Sequence, residues 1–154
     1  MGITENADET VYMIDQTATL HIPYLTMLRE EKGKLDVALP SDYGTVDSDV
    51  SVETSLGTIR VVEIERKPLD NETDSDEVML KFEYISIDSN KRLCSFSFNI
   101  AGGNTSAYSV SNGETGIMEH LGMTVERNVD KISINISDLY YYMFGEYVIP
   151  LDIK

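Results

Sequence analysis

The chain is poor in the residues that build several whole classes of site. One cysteine, Cys94, in 154 residues excludes an intrachain disulfide framework and a thiolate zinc cluster. Two histidines, His21 and His120, are too few for a histidine-rich metal site, and one in a strand pattern with the other in a polar connection gives too little to build a triad. Basic residues number 12 against 27 acids, for a formal charge of −15. Such a surface repels phosphate backbones and anionic headgroups, which excludes nucleic acid as a partner. Only 4 Pro and 10 Gly accompany a 42% hydrophobic composition, so the chain is neither collagen-like nor wholly disordered. No apolar run approaches the roughly 18 to 20 residues that span a bilayer as a helix. The opening MGITENADET lacks the basic and apolar regions of a signal peptide, and Asn6 stands where myristoylation needs Ser or Thr. Two expectations follow, a cytoplasmic protein or, the preferred one, a fragment of a longer exported or anchored protein.

What is present is period-two alternation, the mark of strands with one buried face. Cys94, Phe96, Phe98 and Ile100 share a face, with Leu93 on the other. Ile132, Ile134 and Ile136 share another, as do Tyr147, Ile149, Leu151 and Ile153, where Pro150 points to an edge strand. Val78, Leu80, Phe82 and Tyr84 alternate, then the apolar set moves to Ile85 and Ile87, which predicts a β-bulge near Tyr84 and Ile85. Ile59 and Val61 give way to Val62 and Ile64 in the same manner. Residues 17–22, 35–39 and 50–55 read as shorter strands. Turn residues at 88–90, 102–104 and 111–113 separate these runs.

Eight or nine strands with a turn every ten residues or so predict an all-β, immunoglobulin-like β-sandwich with one or two short helices. The helices are expected at Tyr24 to Glu31, and at Ser137 to Phe144 between a capping Ser or Asp and Gly145. Residues 50–154 are expected to form the sandwich, with residues 1–49 added as N-terminal strands or as the tail of a preceding module. Its core is expected to contain Phe96, Phe98, Ile132, Ile134, Ile149 and Leu151, each contributing about 1.5 to 3 kcal/mol by burial.

Candidate chemistry is sparse. Asp70, Glu72, Asp74, Asp76 and Glu77 invite a calcium reading, but counting from Asp70 places Ser75 and Lys81 where an EF-hand needs Gly and Glu. A solvated acidic loop is expected there, and a polar connection around Asp42, Asp47 and Asp49. Cys94 belongs to a buried face and reads as a small hydrophobe. No nucleophile elbow, phosphate loop, dinucleotide fingerprint or zinc-protease helix occurs. No catalytic residue, metal or cofactor is therefore assigned. The run Tyr140-Tyr141-Tyr142-Met143-Phe144 exceeds what one core face can absorb, so it either plugs the open end of the core, the preferred reading, or offers Tyr140, Tyr141 and Tyr142 as a partner surface. Helical spacing predicts Tyr140 or Phe144 buried and Tyr141 the most exposed.

One order of features carries a family resemblance: Ile22-Pro23-Tyr24, then Lys32-Gly33-Lys34, Val37 and Leu39-Pro40, then Gly57, Ile59, Val61, Ile64 and Pro68-Leu69. The outline resembles the extracytoplasmic region of Gram-positive membrane-bound anti-sigma-factor-like proteins, built from immunoglobulin-like modules. Leu35 stands where an aromatic residue is usual, and Lys67 where a serine-like residue is. The resemblance implies a location at the cell surface and a role in sensing or protein contact, and it transfers no binding residues. A non-enzymatic binding or sensor module with a protein partner is the expectation. The alternatives are a structural subunit of a surface or phage assembly and a metal-dependent hydrolase acting through the acidic loops.

Overall fold

The computed structural model describes residues 17–70, 74–102 and 104–152. These residues form nine strands and no helix: β1 (Thr17–Ala38), β2 (Gly44–Asp47), β3 (Ser51–Thr54), β4 (Gly57–Pro68), β5 (Ser75–Ser86), β6 (Lys91–Ala101), β7 (Asn104–Ser111), β8 (Met118–Glu126) and β9 (Lys131–Asp152). The chain divides into a larger unit, residues 26–143, and a smaller one made of residues 1–25 and 144–154. Strands β1 and β9 contribute to both.

The larger unit is an antiparallel β-sandwich. One sheet has the order β1-β9-β6; the other runs β2-β4-β5-β8-β7, with β3 also paired to β4. Alternation explains which face of each strand is inside. Leu35 and Val37 of β1, Ile59 and Val61 of β4, Val78, Leu80 and Phe82 of β5, and Leu121, Met123 and Val125 of β8 meet Phe96 and Ile132, Ile134 and Ile136 in a single core. Within it, Phe96 meets Phe82 edge to face at 5.3 Å. Such pairs add to burial because the positive ring edge meets the negative ring face.

Both expected helices are strand. Tyr24 to Glu31 lies within β1 and Ser137 to Phe144 within β9. Isolated helices of eight residues are marginal in water, whereas pairing in a sheet satisfies the backbone groups along the shared edge and buries one side. The helix-like spacing of the second segment has a specific origin. Ser97 pairs with Asp138 and Phe98 with Ile136, so Ser137 is an extra residue in β9. This bulge moves the inward set from Ile132, Ile134 and Ile136 to Leu139 and Tyr141.

Two other bulges move expected positions. In β6, Leu93 pairs with Tyr141 and Ser95 with Tyr140, so Cys94 is the inserted residue and Leu93 is fully buried rather than outside. The β4–β5 irregularity lies at Val62, between Val61 and Glu63, where the apolar pattern of Ile59, Val61, Val62 and Ile64 places a change of phase, and none lies at Tyr84 and Ile85, which pair in register with Ile59 and Thr58. Ile85 and Ile87 therefore stay on the solvent side, 48% and 72% exposed. Ile149 and Leu151, expected in the core, are 44% and 41% exposed in the smaller unit. Ile153 lies outside the described residues.

Where β3 turns into β4, Gly57 has φ +145°, and a Cβ there would overlap the Ile85 carbonyl oxygen and sit 2.9 Å from Ser86 Cα. Gly44 has φ +130° with open space around it. Replacing Gly57 by Ala is expected to cost at least about 2 kcal/mol, from backbone strain and forced separation of β4 and β5 together. Gly44→Ala carries only the strain. Urea unfolding of both variants checks this, and equal costs would contradict the role assigned to close approach.

Candidate binding surface

The bulge at Ser137 decides the fate of the tyrosine run. With Leu139 and Tyr141 inward, Tyr140 and Tyr142 face outward on the three-stranded sheet. Tyr141, expected to be the most exposed, is a core residue at 9% exposure, while Phe144 is 37% exposed. Tyr140 is half-buried, its hydroxyl 3.3 Å from the Ser97 hydroxyl opposite. Tyr142 is half-buried and donates a hydrogen bond to the Thr115 carbonyl at 2.6 Å. The three candidates are thus split between core and surface by strand alternation.

The same outward face carries a hollow at the bulge. It has a volume of about 310 Å³ and lies between Lys32 and Gly33 of β1, Phe98 and Asn99 of β6, and Asn135, Ile136 and Ser137 of β9. Asn99 and Asn135 sit directly opposite one another in the β6–β9 register, and both are exposed. Each amide offers donors and an acceptor side by side. Beside them are the exposed Lys32 ammonium and the Ser137 hydroxyl, which lies 3.3 Å from the Asp138 carboxylate. Such an array offers hydrogen-bond donors and acceptors that a polar partner, such as an extended peptide or a polyol, can use, with one positive charge at its edge.

The acidic stretch between β4 and β5 is not the solvated loop expected of it throughout. Ser75 already begins β5, and Asp76 is 1% exposed on the inward face, two residues before Val78. Its carboxylate accepts from Arg66 Nε at 2.9 Å, Arg127 Nε at 3.4 Å and the Tyr43 hydroxyl at 3.0 Å. Burial pushes this carboxyl up, but the hydrogen bonds from Arg66, Tyr43 and Arg127 outweigh it and hold it below the usual carboxylate range. Arg66, 4% exposed, also donates to the carbonyls of Pro40, Val129 and Arg127 at 2.8 to 3.0 Å. Every guanidinium nitrogen has a partner, so this cluster ties the chain after β1 and the turn after β8 to the ends of β4 and β5. It is a clamp, with Arg127 half-exposed on its outer side beside a hollow of about 500 Å³ lined also by Asp74, Ser75, Glu126 and Asn128. Glu72 lies outside the described residues.

The other reactive side chains are committed elsewhere. Glu77 accepts from Tyr108 at 2.9 Å and meets Lys67 at 3.3 Å. Burial pushes the Cys94 thiol up to about 11, against a hydrogen bond with Tyr142 and the charge of Arg92, so it stays a protonated, inert group at neutral pH. His120 sits in β8 between Lys81 and Val110, and His21 in the smaller unit beside Glu146 at 3.9 Å. Among the described residues, no group of His, Cys, Asp and Glu is arranged to hold a metal ion. No helix among them is long and apolar enough to cross a membrane.

The class defined by these observations is a β-sandwich whose smaller sheet carries asparagine, hydroxyl and tyrosine side chains beside charged ones such as Lys32 on its outward face. Comparison of the chain with family models, curated proteins and solved structures finds no match.

Proposed function

We propose that the chain is a non-enzymatic extracytoplasmic binding module, an immunoglobulin-like sensor domain of a membrane-anchored regulator of the anti-sigma type. The observation that carries this reading is the outward face of the three-stranded sheet. In a chain of charge −15, it sets Asn99, Asn135 and Ser137 with Lys32 around one hollow, and carries Ser97, Tyr140 and Tyr142 farther along the same strands. Desolvating amides, hydroxyls and rings costs less than desolvating charges, which is why contact surfaces are enriched in such groups. Support also comes from the family outline: Val37, Leu39, Ile59, Val61 and Ile64 of that pattern are all core residues.

The test is binding of the immobilised chain to the secreted and cell-wall fractions of its source cells. Saturable retention is expected, with the retained material unchanged in mass. Asn135→Arg is expected to weaken it at least about tenfold while melting with the wild type, because surface substitutions usually change stability within about 0.5 kcal/mol. Retention that ignores the substitution, or none at all, overturns the reading. A retained species that is cleaved would return the hydrolase alternative.

A second reading, a subunit of a surface assembly, is favoured by one observation of its own: the half-exposed apolar side chains of Leu20, Val148, Ile149 and Leu151 in the smaller unit.

A further inference from the structure

Ion pairing divides the bases of the larger unit by sheet. Arg60, Arg66 and Lys67 of β4 and Arg127 beyond β8 each meet a carboxylate. On the three-stranded sheet Lys34 alone does, with Asp36 at 3.2 Å. Among the described residues, Arg29, Lys32, Lys91, Arg92 and Lys131 of that sheet have no ion-pair partner, and Lys81 of β5 is the one such base elsewhere. The imbalance is large for so acidic a chain. Residues 26–38, 91–101 and 131–143 carry six bases against four acids, whereas the whole chain carries 12 against 27. Three of those four acids are already engaged: Glu31 with Ser55, Asp36 with Lys34 and Ser133, and Asp138 with Ser137. Glu30 is the fourth.

Alternation turns Lys32, Arg92 and Lys131 outward, in the phase opposite to Leu35, Leu93 and Ile132. Lys32 is the one at the hollow. Its ammonium stands with the Asn99 and Asn135 amides and the Ser137 hydroxyl, with Phe98 and Ile136 beneath, and no acid lines the hollow. Neither amide has a hydrogen-bond partner of its own among the described residues. An ionised carboxylate is planar and purely an acceptor, so it suits a cation flanked by amide N–H donors. The amide oxygens are left to accept N–H groups of a peptide backbone. The acidic sheet lies across the sandwich, about 10 Å away. That exceeds the Debye length of about 8 Å at physiological salt, so it opposes the local attraction only weakly.

We infer that this hollow receives a carboxylate side chain of an acidic, extended peptide segment, with Lys32 as its counter-charge and Asn99 and Asn135 as its hydrogen-bond donors. The inference rests on the binding-module reading and narrows its partner to an acidic protein.

Titration of the nitrogen-15-labelled full chain with a capped hexapeptide of alternating Glu and Ser, in physiological salt, tests it. The side-chain amide signals of Asn99 and Asn135 are expected to shift saturably, with a dissociation constant of about 0.1 to 1 mM. The same peptide with Gln for Glu is expected to bind at least about tenfold more weakly. Lys32→Gln is expected to weaken the Glu peptide several-fold and Lys32→Arg to retain it, while Lys81→Gln changes nothing. Both lysines are exposed, so these variants keep the stability of the wild type. Asn135→Arg, which fills the hollow, is expected to lose the Glu peptide despite its added charge. Equal binding of the Gln peptide, no shift at the two asparagines, or a Lys32→Gln variant that binds like the wild type each overturns the inference. Inorganic phosphate shifting the same signals at lower concentration than the peptide also overturns it. Saturable retention of secreted or cell-wall material by a chain that ignores the Glu peptide leaves the module reading standing and overturns this inference alone.

Discussion

Replacing Arg66 by Met is expected to destabilise the sandwich by about 3 to 5 kcal/mol, a loss that removes much of the stability of an ordinary domain. The side chain is 4% exposed and its guanidinium makes four hydrogen bonds, one to Asp76 and three to backbone carbonyls. Methionine fills much of the volume and replaces none of the donors. Asp76, 1% exposed, is left with Arg127 at 3.4 Å and the Tyr43 hydroxyl, and three carbonyls are left without this donor. Arg127→Met removes a half-exposed cation from the same carboxylate and is expected to cost no more than about 1 kcal/mol. Urea unfolding of the two variants at pH 7 should separate them clearly.

The pH dependence of this pair gives an independent check. In the wild type, Asp76 has a folded pKa below its ordinary value of 3.8. The unfolded state then binds the proton more tightly than the folded state. The stabilisation is fully present above the unfolded value and is lost as pH falls below it, through the folded pKa. In Arg66→Met, burial of Asp76 is poorly compensated, which pushes its folded pKa above the unfolded one and reverses the sign. The difference between wild type and variant should therefore shrink from pH 7 to pH 4. A constant difference would mean that Arg66 acts through its carbonyl bonds alone.

How much of this was legible in the sequence depends on whether phase survives along a strand. Ile132, Ile134 and Ile136 alternate without interruption, and the sequence places them inside, where they are. The all-β character follows from many such runs. At Ser137, Cys94 and Val62 a single inserted residue changes the phase. An insertion in a strand moves the apolar spacing towards that of a helix, which is how Ser137 to Phe144 came to resemble one. Strands β7 and β8 give little pattern: the described side chains of β7 are exposed on both faces, and β8 interrupts its alternation with Gly122, over which the Tyr108 ring lies. The clamp did leave a signal. Arg66 continues the inward phase of Ile64, and Asp76 that of Val78 and Leu80, so opposite charges at inward positions of neighbouring strands mark a buried pair. Within an acidic run, that phase was masked by the charges beside it. The hollow at Asn99 and Asn135 depends on register between β6 and β9, which alternation alone does not supply.

The tyrosine run yields the second large effect, because strand and helix assign its members opposite fates. Tyr141→Ala is expected to cost about 3 to 5 kcal/mol, as removal of a large buried ring does when its surroundings relax only partly. The ring lies in the core with Leu93 and Leu139, and Leu93 is its cross-strand neighbour in β6. Tyr140→Ala gives up a half-exposed ring and one hydroxyl contact with Ser97, for about 1 kcal/mol. Phe144→Ala is expected to cost less than Tyr141→Ala, since Phe144 is 37% exposed and Tyr141 only 9%. Thermal or urea unfolding of the three single variants reads this order directly. Phe144 costing as much as Tyr141 would favour helical spacing, with Phe144 turned inward beside Tyr140. Deleting the extra residue Ser137 leaves Asp138 opposite Ser97 and Leu139 opposite Phe96 in a regular ladder, so Leu139 and Tyr141 stay inward. Tyr141→Ala should therefore remain the costliest of the three in the Ser137-deleted background, and a loss of that order would contradict the assignment of Ser137 as the inserted residue.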